Sequence, residues 1–213
     1  MLTGDATRRS RLAALCLASL SVALMGCVVP DDLHTGRASL GLGYRRLSDD
    51  SFGRLGDQLL LRIDGDFRRD NWPVAISTSL GLGTDSYKES RSTCLIPFFV
   101  CSERSVTMSS QTVDLSLGAR IWRGFEASDV RWFAGTGTAY VQSSLDRYLG
   151  NFTKANDGDS SIGQFVEVGI SWPTGIGEFT LQWRSFLGTE TKLFGVGSSN
   201  DFDEIGIYVQ KTW

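Results

Sequence analysis

The side chains that usually perform catalysis are sparse in this chain of 213 residues. Its only histidine is His34, and a histidine acting as an acid–base catalyst generally works beside a serine or a carboxylate. His34 precedes the first predicted strand, so we interpret it as a solvated linker residue. The sequence contains no phosphate-binding loop and no dinucleotide-binding fingerprint. The pattern therefore indicates a protein that is not an enzyme and needs no cofactor.

Two cysteines, Cys94 and Cys101, flank the apolar hexapeptide 95–100 in the middle of the chain. In an exported protein, two such cysteines meet an oxidising compartment and are expected to pair. A pair of cysteines with no nearby histidine is a poor metal site. We therefore predict a disulfide between Cys94 and Cys101. This disulfide would close a loop whose tip is the apolar hexapeptide.

Two acidic segments, residues 156–159 and 200–204, carry carboxylates that could attract Ca²⁺ at a surface. Their spacing does not match a calcium-binding loop. Asn, Asp and Gly are also the residues that turns prefer, which explains the first segment better. The sequence predicts no metal site.

The N-terminal segment is predicted to be an export signal. Arg8, Arg9 and Arg11 precede an apolar run over Leu12–Met25. This order of a charged region and a short apolar region is typical of secretory signals.

The end of this run carries a second signal. Leu24-Met25-Gly26-Cys27 resembles the lipobox of bacterial lipoproteins, so we predict lipidation at Cys27, which would anchor the chain through buried acyl groups. Ordinary cleavage after Ala23 is the alternative. The predicted organisation is a lipoprotein-type signal peptide over 1–26, a periplasmic tether over 27–36 and one barrel over 37–213.

From about residue 37 onward, apolar and polar side chains alternate. Successive residues of a strand face opposite sides of a sheet, so this period of two indicates one apolar and one polar surface. The pattern fits eight segments: Ser39–Tyr44, Leu59–Phe67, Val74–Leu82, Thr112–Trp122, Val130–Tyr140, Val166–Trp172, Phe179–Leu187 and Ile205–Trp213. The prediction is an all-β, eight-stranded antiparallel up-and-down barrel.

Charge decides which face of this barrel meets which medium. The polar face carries Arg45, Arg62, Asp64, Asp66, Arg68, Asp114, Arg120, Glu167 and Arg184, whereas the apolar face carries only Lys211. An Arg or Lys facing lipid at the bilayer midplane costs roughly 2–4 kcal/mol. We therefore predict a transmembrane barrel with its apolar face toward lipid. The charges would fill the lumen as a salt-bridge network, or alternatively line a narrow gated pore.

Strand glycines favour the same orientation. Almost all of them lie on the polar face: Gly41, Gly43, Gly81, Gly83, Gly118, Gly135, Gly137, Gly163, Gly169 and Gly206, with Gly65 as the exception. The interior of an eight-stranded barrel is just wide enough for side chains to fill. Glycines there make room for long charged side chains.

Connection lengths alternate, as they do in outer-membrane barrels with short periplasmic turns and long external loops. The predicted long loops are Ser48–Asp57, Ser86–Ser105, Asp146–Ser161 and Leu193–Asp203, and the short turns are Arg69–Trp72, Arg123–Asp129 and Pro173–Glu178. Aromatic residues favour membrane interfaces. Those near the short turns are Trp72, Trp122, Trp132, Trp172 and Trp213, and Tyr87, Tyr140 and Phe186 are candidates for the opposite girdle.

The final segment, Ile205–Trp213, resembles the C-terminal signal by which outer-membrane barrels are recognised for assembly. It has alternating apolar residues and a terminal aromatic, although Lys211 and Trp213 replace the commoner residues. Over residues 36–213 the chain resembles small eight-stranded outer-membrane barrels, such as the OmpA transmembrane domain and related surface and adhesin proteins. This resemblance implies a monomer in the outer membrane of a Gram-negative bacterium, with a structural or surface-interaction role.

The net charge of −3 gives no reason to expect a nucleic-acid partner. The expected partners are membrane lipid and lipopolysaccharide, the barrel assembly machinery through the last strand, and an extracellular molecule at the loops. The apolar hexapeptide 95–100 is a candidate contact for lipopolysaccharide acyl chains or for a partner; packing of this loop over the barrel mouth is the alternative. Three alternatives stay open: a lipid-anchored soluble barrel of the lipocalin kind with an apolar ligand inside, a narrow ion-conducting barrel, and an outer-membrane enzyme acting on lipid A or phospholipid, which the single histidine disfavours.

Overall fold

A computed structural model of the protein describes residues 35–48, 55–69, 72–95, 100–125, 128–149, 153–193, 196–199 and 201–212. The strands are β1 (Thr35–Leu47), β2 (Asp57–Arg68), β3 (Ala75–Leu95), β4 (Val100–Gly124), β5 (Arg131–Leu149), β6 (Thr153–Thr174), β7 (Gly177–Leu187), β8 (Glu190–Leu193), β9 (Val196–Ser199) and β10 (Phe202–Thr212). Across these ranges, no helix has the length and hydropathy required to span a membrane.

Eight of these strands close into one antiparallel barrel, in the spatial order β1-β10-β7-β6-β5-β4-β3-β2. The seam joins the first strand to the last, with Leu42 opposite Ile207 and Gly43 opposite Gly206. The short strands β8 and β9 form a separate hairpin in the connection between β7 and β10. The predicted eight-stranded antiparallel up-and-down barrel is confirmed.

The apolar faces of the barrel strands point outward. Leu42 is 70% exposed and Leu59 is 73% exposed, whereas Arg45 and Arg62 are completely buried inside. Strand β10 alternates strictly between buried and exposed residues from Phe202 to Lys211. The lipocalin-like alternative is therefore wrong, because an apolar calyx would need the apolar faces inside.

Three predicted long loops are largely strand. Strands β3 and β4 remain paired as far as Leu95 and Val100, and β5 and β6 remain paired as far as Leu149 and Thr153. The connection predicted over Leu193–Asp203 contains β9 and the end of β8. Apolar alternation ends where these strands leave the barrel wall, but backbone hydrogen bonds between strands do not require apolar side chains. We call this end of the barrel the hairpin end and the opposite end the turn end.

The interior has two layers of different chemistry. At the hairpin end lies an apolar cap formed by Leu47, Leu55, Ala139, Val141, Leu145, Phe165, Phe186, Leu193 and Phe202. Leu55 and Leu193 reach this cap from connections outside the barrel wall, from before β2 and from β8 respectively. Below the cap, buried charges and hydroxyls fill the lumen.

Candidate functional site

The candidate site is the set of charged side chains inside the barrel. Among the described residues, the buried arginines are Arg45, Arg62, Arg120 and Arg184, and the buried carboxylates are Asp64, Asp66, Asp114, Glu167 and Glu204. They project inward because each occupies the inward parity of its strand, on β1, β2, β4, β6, β7 and β10. Ionised groups removed from water need partners, and in this lumen they are one another's partners.

The cluster nearer the cap joins four residues from four strands. Arg45 donates from Nε to Glu204 Oε1 at 2.6 Å and forms an ion pair with Asp114. Arg62 Nη2 donates to Asp114 Oδ1 at 3.0 Å and to Glu204 Oε2 at 2.5 Å. Each carboxylate thus bridges both guanidinium groups, and the four charges cancel.

The second cluster lies nearer the turn end and centres on Glu167. Arg184 Nε donates to Glu167 Oε2 at 2.9 Å, and Arg120 Nε donates to Glu167 Oε1 at 2.7 Å. Arg120 also donates from Nη1 to Asp66 Oδ2 at 2.9 Å. Arg184 Nη2 lies 3.4 Å from Asp64 Oδ1, which draws this carboxylate into the same cluster.

A serine connects the two clusters. Ser79 Oγ accepts from Arg62 Nη1 at 2.8 Å and from Arg184 Nη1 at 2.6 Å, and it lies 2.9 Å from Ser116 Oγ. One hydrogen-bonded network therefore runs along the lumen. Hydrogen bonds of this kind polarise one another in a medium of low dielectric constant.

Most of the buried guanidinium groups also stack on a phenylalanine. The distance from the guanidinium carbon to the ring centroid is 4.5 Å for Arg45 on Phe202, 4.6 Å for Arg184 on Phe165 and 4.4 Å for Arg120 on Phe133. Planar guanidinium groups pair with carboxylates at their edges and with aromatic rings at their faces. The aromatic side chains thus hold the arginines in the orientation that the carboxylates require.

The lumen glycines leave the space that these side chains occupy. A Cβ atom added to Gly81 would collide with the carboxylate of Asp114, and one added to Gly135 would collide with Glu167. At Gly118 and Gly137 it would meet the ring of Phe165. A small barrel has little spare interior volume, and these glycines leave room for the long side chains beside them.

Some residues lie elsewhere than the sequence pattern predicts. Arg68 is exposed at the end of β2 and makes none of the contacts above. Trp122 is not an interfacial residue: it is 8% exposed and donates from Nε1 to Asp66 Oδ2 at 3.0 Å. Phe186 belongs to the apolar cap and Tyr87 packs against that cap, so neither belongs to an outer girdle. Their parity along the strands already places all three side chains on the inward face.

Glu204 is the lumen residue that the sequence pattern misses. The predicted last strand begins at Ile205, and Glu204 falls in the acidic segment considered for Ca²⁺. The observed strand begins at Phe202, and Glu204 has the same parity as the inward-facing Gly206, Tyr208 and Gln210. Extending the alternation backward by one residue would have found it.

The acidic segments take part in hydrogen bonds within the protein. Asp159 Oδ2 accepts from the backbone nitrogen of Lys192 at 2.7 Å, and Asp159 Oδ1 accepts from that of Ser160 at 2.8 Å. Asp201 Oδ1 accepts from the backbone nitrogen of Thr189 at 3.1 Å. Within the described ranges, no group of three or more His, Cys, Asp or Glu is arranged to hold a metal ion.

These contacts fasten the β8–β9 hairpin beside the barrel, with Asp159 of β6 bound to the backbone of β8. The two backbone donors, first that of Lys192 and then that of Ser160, lower the pKa of Asp159 below its usual value. They do so because both hydrogen bonds favour the ionised carboxylate.

The remaining predicted sites are described in part or not at all. The backbone register of the β3–β4 hairpin sets Cys94 directly opposite Cys101, and the side chains of both lie outside the described residues. His34 and Cys27, with the whole segment 1–34, also lie outside them, as does most of the apolar tip at 96–99.

No protein-family model matches the sequence, and no curated protein matches it either. Solved structures of outer-membrane barrels are similar to this chain. Neisserial surface protein A has 13% identity and a TM-score of 0.47, with 83% of this chain and 95% of that chain covered. The Yersinia pestis attachment invasion locus protein Ail has 10% identity and a TM-score of 0.48, with 83% and 97% covered.

The N-terminal barrel domain of Pseudomonas aeruginosa OprF has 11% identity and a TM-score of 0.44, with 85% of this chain and 98% of that chain covered. The chain thus resembles small outer-membrane barrels.

Proposed function

We propose that this protein is an integral, non-enzymatic barrel of a Gram-negative outer membrane, with a filled lumen and with its hairpin end at the cell surface. The observation that supports this proposal is the difference in chemistry between the outward and inward faces of the strands. Apolar side chains are exposed around the outside of the barrel, and fully buried ion pairs occupy the inside. A barrel in water would need the opposite arrangement.

The exposed apolar residues form a belt around the barrel. It includes Leu40, Leu42, Leu59, Leu61, Ile76, Leu115, Leu117, Ile121, Ile162, Val166, Val168, Ile170, Leu181, Trp183, Leu187, Ile205, Ile207 and Val209. Monomeric soluble proteins rarely expose continuous apolar patches larger than a few hundred Å². Outer-membrane barrels carry an outward apolar band about 25 Å tall, so a bilayer is the medium that fits this surface.

The contents of the lumen favour a structural role over conduction. Arg45, Arg62, Asp114 and Glu204 hold one another across the lumen, and the apolar cap lies between this cluster and the hairpin end. Separating a buried ion pair leaves an uncompensated charge, which is strongly unfavourable. We therefore propose that the network fills the barrel and fixes the register of its strands, and that it does not conduct ions.

Two covalent features belong to this proposal. Lipidation of Cys27 would add a membrane anchor to the barrel, on the strength of the lipobox-like sequence before it. A disulfide between Cys94 and Cys101 is favoured by their direct opposition across β3 and β4. Residues opposed in an antiparallel pair have Cα atoms about 4.5 or 5.5 Å apart, and both values fall within the roughly 4.4–6.8 Å range of disulfides.

The proposed surface role resides at the hairpin end, where β3–β4 and β5–β6 continue beyond the apolar belt as paired strands. Among the residues that the structure describes, these extensions are the longest strand segments outside the belt. They are the parts of the chain available to partners outside the cell, while the turn end has only short connections between β2 and β3, β4 and β5, and β6 and β7.

The test is extraction of the protein from isolated outer membranes, followed by gel mobility of unheated and boiled samples. A membrane barrel stays in the pellet after alkaline carbonate and high salt, and its mobility changes on boiling. A variant with Cys27→Ala separates the barrel from the lipid anchor: its barrel should remain in the pellet. Release of Cys27→Ala into the soluble fraction would overturn the proposal.

A further inference from the structure

Above the apolar belt, the outward face of the β3–β6 sheet changes abruptly from apolar to hydroxyl and amide side chains. The cross-strand register defines this change in rows. The row Leu80, Leu115, Tyr140 and Ile162 is entirely apolar or aromatic, and the next row, Leu82, Val113, Gln142 and Ser160, is mixed. The two rows beyond them contain Thr84, Gln111, Ser144 and Gly158, then Ser86, Ser109, Asp146 and Asn156.

We call these last eight residues the hydroxyl face. All eight lie on the outward side of their strands and are exposed or half-buried. Asp146 is the single ionisable residue among them, and its Oδ1 accepts a hydrogen bond from the side-chain amide of Asn156. Charged residues commonly make up about a quarter or more of the exposed surface of a soluble protein. The hydroxyl face has fewer charged residues than contact with water alone would lead us to expect.

The opposite face of the same four strands is charged. Asp85, Glu89, Arg147, Asp157 and Asp159 lie there, on the side that continues the lumen. Both faces extend beyond the barrel, so exposure to water alone does not explain why the carboxylates are concentrated on one of them. One of these carboxylates, Asp159, binds the backbone of β8, whereas the outward face continues the surface that contacts the membrane.

We propose that the hydroxyl face binds the core sugars of lipopolysaccharide in the surrounding leaflet. This inference rests on the proposed function, since it needs the belt to lie in the outer membrane. The layer next to the acyl chains on the outer side of that membrane is phosphorylated sugar. Ser, Thr, Asn and Gln side chains supply both donors and acceptors for sugar hydroxyls.

Two further features match this ligand. Tyr140, 43% exposed, lies in the apolar row below the hydroxyl face, and Tyr148, 37% exposed, lies in the row above it. An aromatic ring provides an apolar surface with a polar tip, which suits the boundary between acyl chains and sugars. The outward residue Lys88 adds a positive charge near Ser86, and the carboxylates that would repel sugar phosphates lie on the other face.

The experiment compares two ligands on the purified full-length barrel in phospholipid nanodiscs: lipopolysaccharide with its core sugars, and lipid A without them. The amount of each that co-purifies with the barrel is measured by mass spectrometry. We expect core-bearing lipopolysaccharide to be retained about tenfold better than lipid A, a factor equivalent to about 1.4 kcal/mol. Equal retention of the two ligands would overturn the inference.

Variants locate the contact. Ser144→Glu places a negative charge at the centre of the hydroxyl face and should reduce retention to the level of lipid A, whereas Ser144→Lys should keep or increase it. Ser48→Glu is the matched control, because Ser48 is exposed at the end of β1, the strand directly across the barrel from β5. Its retention should equal that of the unchanged protein.

The outcomes separate the two proposals. Equal losses with Ser144→Glu and Ser144→Lys, or a loss with Ser48→Glu, would contradict a contact between the hydroxyl face and anionic sugars. Each variant is first tested for heat-dependent gel mobility, so that an unfolded barrel is not mistaken for a lost contact. If the unchanged protein fails to insert into bilayers, the proposed function itself is wrong; if it inserts without the sugar preference, only this inference falls.

Discussion

Asp114 holds two arginines from two different strands. Its carboxylate pairs with Arg45 of β1 and with Arg62 of β2, and all three side chains are completely buried. Removing one member of a buried ion-pair cluster leaves the others desolvated and unpaired, which costs more than the pair itself contributes. The stability of the lumen therefore depends on each carboxylate being present.

Asp114→Asn is expected to lower the free energy of unfolding by about 3–5 kcal/mol, the range for breaking a buried pair. Urea unfolding of the detergent-solubilised barrel measures this change. The matched control is Asp203→Asn on the exposed face of β10, where a surface charge contributes only about 0–1 kcal/mol. Similar losses in the two variants would show that burial in the network does not matter.

A second prediction concerns interior volume. In Gly118→Ala, the added Cβ would lie 2.5 Å from the carbonyl oxygen of Thr136 and 2.7 Å from Phe165 Cζ. Overpacking of this kind typically costs about 1–3 kcal/mol. Gly124→Ala in the same strand meets no atom within 4 Å and should leave the urea midpoint unchanged or slightly higher. Equal stability of the two variants would contradict the steric role of Gly118.

The residue pattern predicts the direction in which each lumen side chain points, but not its partners. Parity along a strand assigns Arg45, Asp114 and Arg184 to one face. Which of them meet depends on how strand tilt and register stagger the strands of a closed barrel. This is why the link from Arg45 across the lumen to Asp114, and the junction at Ser79, could not be predicted from spacing.

At the scale of elements, the barrel strands were predictable and their extensions were not. Half-buried strands can be recognised in a sequence by their alternating apolar residues, as in β10 and β2. The outer part of the β3–β4 hairpin, from Asp85 to Leu95 and from Val100 to Ser110, is polar on most positions and reads as a loop. Its strand pairing depends on backbone hydrogen bonds, and these do not affect the hydropathy pattern of the sequence.

The β3–β4 hairpin allows a redox prediction. If Cys94 and Cys101 are joined, alkylation of the unreduced, denatured protein labels neither of them, and mass spectrometry after proteolysis finds their peptides linked. The register favours this because the two residues are directly opposed. Cys101→Ser should expose a free thiol at Cys94. Full labelling of both residues without reductant would contradict the disulfide.

The β8–β9 hairpin should loosen in acid. Backbone hydrogen bonds from Lys192 and Ser160 lower the pKa of Asp159. This attachment is therefore complete above the unfolded-state pKa of about 3.9 and is lost as the pH falls through the lower folded-state value. Amide exchange of β8, corrected for the intrinsic effect of pH, should increase at pH values below about 3.9.

Asp159→Asn provides the control for this prediction. Its amide oxygen accepts more weakly than a carboxylate, and it does not titrate. Exchange in β8 should therefore be faster at neutral pH and should no longer depend on acidification through this group. The same acid response in Asp159→Asn as in the unchanged protein would assign the effect to other carboxylates.

At the scale of the whole molecule, the lumen is closed in two chemically different ways. The ion-pair clusters fill its length, and the apolar cap, in which the rings of Phe186 and Phe202 lie 4.1 Å apart, covers its hairpin end. Water and ions would have to disrupt both layers to pass. Within the described part of the chain, the apolar cap interrupts the polar interior at this end.

Planar bilayers containing the purified barrel are accordingly expected to carry no stepwise current. The measurement is single-channel recording at neutral pH. Reproducible conductance steps that vanish in a heat-denatured sample would overturn the filled-lumen assignment. The ion-conducting alternative would then replace it.

The position of Glu204 also bears on how the barrel completes its assembly. This residue arrives on the last strand and satisfies Arg45 and Arg62, which are separated from it by 159 and 142 positions in the chain. Until β10 docks, those two guanidinium groups share Asp114 alone. Neutralisation of the cluster nearer the cap therefore requires the strand that closes the seam.

The same arrangement checks the alignment of the seam. Sliding β10 by one residue against β1 would turn Glu204 toward lipid and bring the neighbouring Asp203 or Ile205 into the lumen. A slip that brings Ile205 inward would remove one counter-ion of the arginines, and one that brings Asp203 inward would replace the Glu204 carboxylate with a shorter one. The buried arginines thus favour the one register of β10 against β1 that places Glu204 in the lumen.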